Sequence, residues 1–380
     1  MSSDDEATKK EKAAAATKEA DKAEAVRLAG LVARQLEEKG DKTLHVEEIQ
    51  DMVEQVLMRE GYARTAKAYI LYRAERTRVR EMNTRLMKVY EDITYRDASE
   101  SEIKRENANI DGNSPMGVML RYGSEGAKQF NEWFVLEPEH AAAHRNGDIH
   151  IHDMDFLTLT TTCCQIDIQK LFRGGFSTGH GRVREPNDIR SFAALACIAI
   201  QSNQNDQHGG QSIPNFDYGL APGVAKTFAR HYRDNLAKVL HWKWGIGEDQ
   251  LDRLQTVFRE LAEDGVVLRM SRTSRERERE LEGLAEVTGN REAVRDSQRI
   301  AEAQALKETE RSTYQAMEAL IHNLNTMHSR AGAQIPFSSI NYGTDTSPEG
   351  RLVIRSVLEA TERGLGGGET PIFPIQIFRV

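Results

Sequence analysis

The residues best equipped for chemistry lie between His144 and Asp217. Two cysteines stand side by side in TLTTTCCQIDIQ, Cys163 and Cys164. A thiolate attacks electrophiles and binds soft metals, and the weak S–H bond also lets a thiol hand over a hydrogen atom. In an extended run, successive side chains point to opposite faces. One of the two thiols can therefore face a cavity while the other packs outside. His144, His150, His152 and His208 are close in sequence, and His150 and His152 would share a strand face. That spacing can ligate a metal, but no thiol or carboxylate is spaced to complete the site. Hydrogen bonding at a strand end is the reading, and no metal is assigned. Two Gly-rich stretches, 207–212 and 364–370, match neither a Walker nor a dinucleotide motif. The first, His208-Gly209-Gly210-Gln211-Ser212, reads as a loop whose free N–H groups can cradle phosphate.

The elements around these residues follow from periodicity. Ile149 and Ile151 alternate with His150 and His152, as in a half-buried strand. Residues 158–168, rich in Thr and Ile, also read as extended. Gly174, Gly175, Gly179 and Gly181 mark a loop. Strands that end in loops, with thiols on one of them, describe the mouth of a barrel that does chemistry. Downstream, helices are expected from Pro186, with Ile189, Phe192 and Ala196 buried, after Pro222, and over 249–263. Cys197 falls on the apolar face of the first and reads as core. The densely charged 271–312 reads as solvent-facing helix, continuing to Met327. The last fifty residues form a βαβ unit. A strand spans 335–342, and Thr346 or Ser347 caps a helix with Pro348 in its first turn. Gly364 ends that helix, and a second, parallel strand spans 371–380. Upstream, residues 1–22 are charged and Ala-rich, a disordered tail or frayed helix. Residues 23–85 carry three amphipathic helices. The stretch 99–123 is a turn-rich polar link containing Asn107 and Asn109.

Composition narrows the classes. The 380 residues are 39% hydrophobic and 29% charged, with a net charge of −8. That supports a buried core and argues against a nucleic-acid-binding surface, which needs clustered Lys and Arg. Three cysteines, two of them adjacent, give no disulfide framework and suit reduced thiols in the cytoplasm. No run approaches the ~18 apolar residues of a membrane span.

Six stretches carry a family resemblance: ENANIDGNSPMG (106–117), HRNGDIHIHDMDF (144–156), TTTCCQIDI (160–168), SNQNDQHGGQSIPNFDYG (202–219), AGAQIPFSSINYGTDTSPEGR (331–351) and GLGGGETPIFPIQIF (364–378). Together they resemble the class III, anaerobic ribonucleoside-triphosphate reductases over about residues 80–380. HVEEIQDMVEQVLMREGY and the helix after it resemble the closing half of an ATP-cone. The family's cone opens with a basic, Gly-containing hairpin, and residues 1–22 contain no Gly and no aromatic residue. The cone is therefore read as partial.

The resemblance implies an α/β fold, the first half of a ten-stranded α/β barrel over 86–380, preceded by the helical module and stopping mid-barrel. It implies an oxidoreductase making deoxyribonucleoside triphosphates by glycyl-radical and thiyl chemistry. The glycyl radical and thiyl cysteine would lie on a C-terminal half that the chain needs for activity. The reducing cysteine maps to Cys163, with Cys164 its inseparable neighbour. Substrate or effector contacts map to Asn107, Asn109, Thr162, Gly209, Gly210, Gln211 and Ser212. ATP and deoxynucleotides are the expected effectors. Expected partners are the ribonucleoside triphosphate, a radical-SAM activating enzyme, the C-terminal half and a second copy in a homodimer, with no nucleic acid and no membrane. The alternatives are a non-catalytic nucleotide-binding or interaction protein that keeps only this part of the fold, and a different glycyl-radical enzyme.

Overall fold

The computed structural model describes residues 3–39, 45–82, 86–95, 114–157, 161–330, 332 and 334–380. The chain divides into two compact units, 1–94 and 95–380.

The first unit is helical. It contains α1 (Ser3–Lys39), α2 (Val46–Arg59) and α3 (Ala63–Met82), and α4 (Leu86–Tyr95) runs to its end. The segment read as a disordered tail or frayed helix is helical from Ser3 and continuous with the rest of α1. Its Ala-rich composition has the highest intrinsic helix propensity. Val32, Leu36 and Val56 form the core, with Leu28, Leu31, Met52 and Val53 against it. Polar links join the helices at the surface. Arg27 donates to Glu24 and Glu60, both at 2.8 Å, and the Tyr62 hydroxyl donates to Glu24 at 2.8 Å. Arg73 reaches Glu47, Asp51 and Glu54.

The second unit opens with α5 (Pro115–Phe130). Ser114 caps it by accepting from the Gly117 N–H at 3.0 Å, and Pro115 occupies the first turn. A single π-helical turn, Asn131–Val135, extends it. Next, α6 (Pro138–Asn146) ends at Gly147, whose φ of 82° is the left-handed cap glycine supplies. The strand expected at 149–152 does not form. The Ile151 N–H, which a ladder would use, donates to His144 Nδ1 at 3.2 Å. Left-handed backbone at Gly147 and at Asp153 turns the chain on either side.

The remaining elements are β1 (Thr162–Gln165), α7 (Ile168–Phe172), β2 (Phe176–Ser177), β3 (Arg182–Val183), α8 (Ile189–Asp206), β4 (His208–Ile213), α9 (Phe216–Trp244), α10 (Glu248–Glu263), α11 (Ser274–Thr288), α12 (Arg291–Thr326), β5 (Ser338–Tyr342), α13 (Pro348–Arg363) and β6 (Ile375–Phe378). The main sheet has the order β1-β4-β5-β6, parallel throughout. This is an α/β architecture, with a parallel sheet covered by helices, consistent with part of an α/β barrel.

Alternation assigns the two sheet faces. Ile213, Ile340 and Tyr342 join Phe192, Ala196, Phe216, Leu220, Met317, Leu320, Val353 and Val357 in the main core. Ser212, Ser339 and Asn341 lie on the opposite face. A second core joins α9 to α10, α11 and α12 through Phe228, Tyr232, Leu236, Leu254, Phe258 and Leu284.

Three readings change here. The 208–212 segment is the second strand of the sheet, not a loop. Its N–H groups serve the ladder, as when Gln211 donates to Phe337 O at 2.9 Å. The helix expected after Pro222 starts at Phe216, with Pro222 inside it. Proline cannot give Tyr218 O its helical hydrogen bond, and the Gln169 side chain supplies one at 2.9 Å instead. The charged 271–312 segment is not uniformly solvent-facing. Arg272 and Glu280 are buried as an ion pair, the Tyr232 hydroxyl donates to Glu280 at 2.5 Å, and the Arg272 guanidinium lies 4.2 Å from the Tyr232 ring centroid. Burial pushes the Glu280 carboxyl above the usual carboxylate range.

Candidate functional site

The two cysteines sit where β1 meets β4, and the pairing is irregular there. Thr162 pairs with His208, and Cys164 with Gln211. One residue of β1, Cys163, thus stands against two of β4, Gly209 and Gly210, which is a β-bulge. Cys163 has φ 51°, left-handed and uncommon outside glycine. Gly209 has φ 101°, and a Cβ built there would come within 3.0 Å of Cys163 Sγ. Gly209 therefore supplies both the left-handed backbone and a close approach to Cys163.

The bulge separates the thiols. Cys163 is exposed and Cys164 half-buried. Asn203 Nδ2, from the end of α8, donates to Cys164 Sγ at 2.9 Å and to Gln211 Oε1 at 2.8 Å. Cys164 is thereby held toward the helices. Gln211 is only 2% exposed, on the same face. Cys197 is the buried thiol, and desolvation pushes it up to about 12.

The other face of the sheet carries a polar row. Gln165 lies beside Ser212 and Ser212 beside Ser339, while the Ser212 hydroxyl donates to Asn341 Oδ1 at 3.4 Å. Ile375 and Ile377 continue this face on β6. The arrangement offers donors and acceptors next to an apolar strip, suited to hydroxyl-bearing ligands with a flat or apolar part. Thr162 is exposed at the head of β1. Asn107 and Asn109 lie outside the described residues.

Asp217 fixes the C-terminal ends of β4 and β5 relative to each other. Its carboxylate is 1% exposed. It accepts from the N–H groups of Gly343 at 2.9 Å, Asp345 at 3.0 Å and Tyr218 at 3.0 Å. Asn203 and Asp217 both fall inside the quoted 202–219 motif, but sequence reading gave neither a role. The amide-rich run SNQND and an acid directly after an apolar Phe were the available signals.

His144, His150 and His152 form a row with ring centroids 5.7 and 5.8 Å apart. Among the described residues, no group of three or more His, Cys, Asp or Glu side chains is placed to hold a metal. Nor is any described helix long and apolar enough to cross a membrane.

Comparison with known proteins gives two family matches. Residues 106–380 match the model of the anaerobic ribonucleoside-triphosphate reductases, and residues 6–78 match the ATP cone domain. Among curated proteins, the anaerobic ribonucleoside-triphosphate reductase of Escherichia coli (strain K12) is 26% identical over 93% of this chain and 41% of its own length. That of Haemophilus influenzae is 24% identical over 89% of this chain and 40% of its own length. That of Enterobacteria phage T4 is 27% identical over 72% and 36%. The chain thus spans about two-fifths of the length of the curated relatives it matches. Similar solved structures include an anaerobic ribonucleotide reductase, with a TM-score of 0.40 at 13% identity over 72% of this chain and 35% of that one. Another is the Thermotoga maritima enzyme in complex with dATP and CTP, with a TM-score of 0.39 at 11% identity over 73% and 39%.

Proposed function

The chain belongs to the anaerobic ribonucleoside-triphosphate reductase family, and from that premise we propose that it supplies the reducing-thiol side of a site that converts ribonucleoside triphosphates to deoxyribonucleoside triphosphates for DNA synthesis. The observation that carries this reading is the β4 bulge opposite Cys163, where one thiol is exposed and its neighbour half-buried.

Replacing the ribose 2′-hydroxyl by hydrogen releases water and consumes two electrons. The glycyl radical and its thiyl cysteine, which the resemblance assigns to a C-terminal half, supply the hydrogen-atom abstraction. In this reading Cys163 gives one hydrogen atom toward the 2′ carbon, and a second one-electron donor, formate or an external thiol, supplies the other equivalent while the 2′-hydroxyl leaves as water. Gly209, with no Cβ, leaves room for that thiol. Cys164 stays on the helix side, held by Asn203. Ser212, Asn341 and Gln165 bind and orient the nucleotide on the polar face. Thr162, Gly209 and Gly210 border the same region, and the resemblance assigns substrate contact to Asn107 and Asn109 as well. Gln211 acts indirectly, by holding Asn203.

The wider assembly is proposed on the same basis. ATP and deoxynucleotides regulate the reductase, the ATP-cone match being the support for effector binding. A radical-SAM enzyme activates it, the C-terminal half completes the barrel, and two copies associate. A cytoplasmic location fits three free thiols.

The test is anaerobic deoxynucleotide formation by a reductase assembled from this chain and the C-terminal half. Cys163→Ser should abolish turnover while nucleotide affinity and folding stay close to wild type. Full turnover in that variant would refute the assignment.

A further inference from the structure

One cluster beside the bulge is used by nothing described so far. It brings two of the sequence motifs together with Arg330 at the first residue of β4. His208 Nε2 lies 3.2 Å from Asp153 Oδ1. His208 Nδ1 lies 3.2 Å from Arg330 Nη1. The Phe156 ring stacks on the imidazole, with centroids 3.8 Å apart and planes 15° from parallel. Arg330 also donates to the backbone oxygens of Gln204 and Gln207, which ties the end of α8 to the start of β4.

Chemistry fixes the state of this imidazole. A guanidinium has donors and no acceptor. His208 Nδ1 therefore accepts from Arg330, and Nε2 carries the hydrogen that it donates to Asp153. The ring is constrained at both nitrogens and on one face. Asp153 makes its contact from a left-handed φ of 51°, a conformation that persists in a non-glycine residue when its surroundings over-determine it.

The backbone of the same residue holds β1. The His208 N–H donates to Thr161 O at 3.1 Å, and His208 pairs with Thr162, immediately before the bulge. The next residue is Gly209, in contact with Cys163. Any shift of His208 therefore passes directly to the cysteine.

We infer that His208, anchored by Asp153 and Arg330, is a positioning residue for the Cys163 thiol, because it sets the register of β1 against β4 at the bulge. The inference rests on the proposed role of Cys163 as the reducing thiol. His208 itself is assigned no contact with substrate.

The experiment uses the 380-residue chain carrying Cys164→Ser, so that Cys163 is the accessible thiol. Two rates are measured: alkylation of Cys163 by iodoacetamide, followed by mass spectrometry, and amide hydrogen exchange over 208–211. His208→Leu removes both hydrogen bonds. Asp153→Gly removes the carboxylate and tolerates the left-handed backbone, so it serves if the leucine variant folds poorly. Both should speed alkylation and exchange by at least about threefold, as local opening frees the thiol from Gly209. His208→Gln keeps one acceptor and one donor and should stay within about twofold of the parent. Unchanged or slower rates in the folded leucine and glycine variants overturn the inference. So does a glutamine variant as fast as the leucine one, because ring bulk would then be what matters. A reductase that keeps turnover with Cys163→Ser refutes the role of the thiol, and the exchange data decide the positioning separately.

Discussion

Removing the Asp217 carboxylate should loosen the junction of β4 and β5 more than any change to the cysteines. The carboxylate is almost wholly buried and accepts three backbone N–H groups, two of them from the turn after β5. A hydrogen bond to a charged group contributes about 1.5–3 kcal/mol, and a buried donor left unpaired costs about 1–3 kcal/mol. In Asp217→Asn the amide oxygen can replace one carboxylate oxygen. With that oxygen toward Gly343 and Asp345, the new NH2 group confronts the Tyr218 N–H, and one bond is lost outright. The two kept bonds fall from charge-assisted to neutral. The expected loss is about 3 kcal/mol, rising to about 5 kcal/mol for Asp217→Ala, which loses all three bonds. The damage should be local first. The same turn carries Asp345, whose carboxylate accepts from the Ser347 N–H at 2.9 Å, so α13 loses part of its entry. Urea denaturation gives the total, and amide exchange at Gly343 and Asp345 gives its location. A loss under about 1 kcal/mol with both amides still protected would refute the argument, because the three bonds would then be doing nothing net.

Other outcomes follow from other parts of the chain. Cys164→Ser should lower stability by about 1–3 kcal/mol, since a half-buried hydroxyl replaces the thiol that Asn203 holds, yet leave turnover of the assembled reductase largely intact; thermal melting and product analysis check both. Cys197, pushed up to about 12 by burial, should resist iodoacetamide at pH 8 while Cys163 reacts, and modification of Cys197 in the folded chain would contradict its placement. Burial raises the Glu280 carboxyl above its ordinary 4.5, so the unfolded chain ionises first as pH rises. The wild type should therefore lose stability relative to Glu280→Gln from about pH 4.5 upward, until the folded carboxyl also ionises; denaturation midpoints of the two proteins across pH 4–8 test that sign.

Local signals were legible where they were self-contained. Ser347 caps α13 with Pro348 in its first turn, and Gly364 ends it, as the turn chemistry requires. β5 and β6 are parallel across it, as a helical crossover between neighbouring strands requires. The apolar spacing of Ile189, Phe192 and Ala196 marked the buried face of α8. The sequence misled where composition and partner disagreed. HGGQSI looks like a loop because glycine is a poor strand former in isolation, but strands on both sides supply its ladder, and Gly209 takes a positive φ close against Cys163. Ile149 to His152 alternates like a strand but pairs with no strand among the described residues, and the Ile151 N–H turns to a histidine instead. The bulge at Cys163 was hidden for the same reason: alternation alone puts successive side chains on opposite faces, and an extra residue on the partner strand is invisible from β1.

The connection between β4 and β5 bears on how the sheet assembles. Roughly 125 residues separate the end of β4 at Ile213 from the start of β5 at Ser338, most of them in α9 to α12, whereas about 33 separate β5 from β6. Closing the longer loop costs about 1 kcal/mol more by chain entropy alone, and it brings no sheet contact until the helical excursion has folded back. The helices α9 to α12 share one apolar core, and this helical unit can form early and shorten that search. The β4–β5 seam then zips late, and the Asp217 carboxylate finds Gly343 and Asp345 only as it does. Insertions at the far turns of the excursion would slow that step little, while changes that unpair α9 from α12 would stall it.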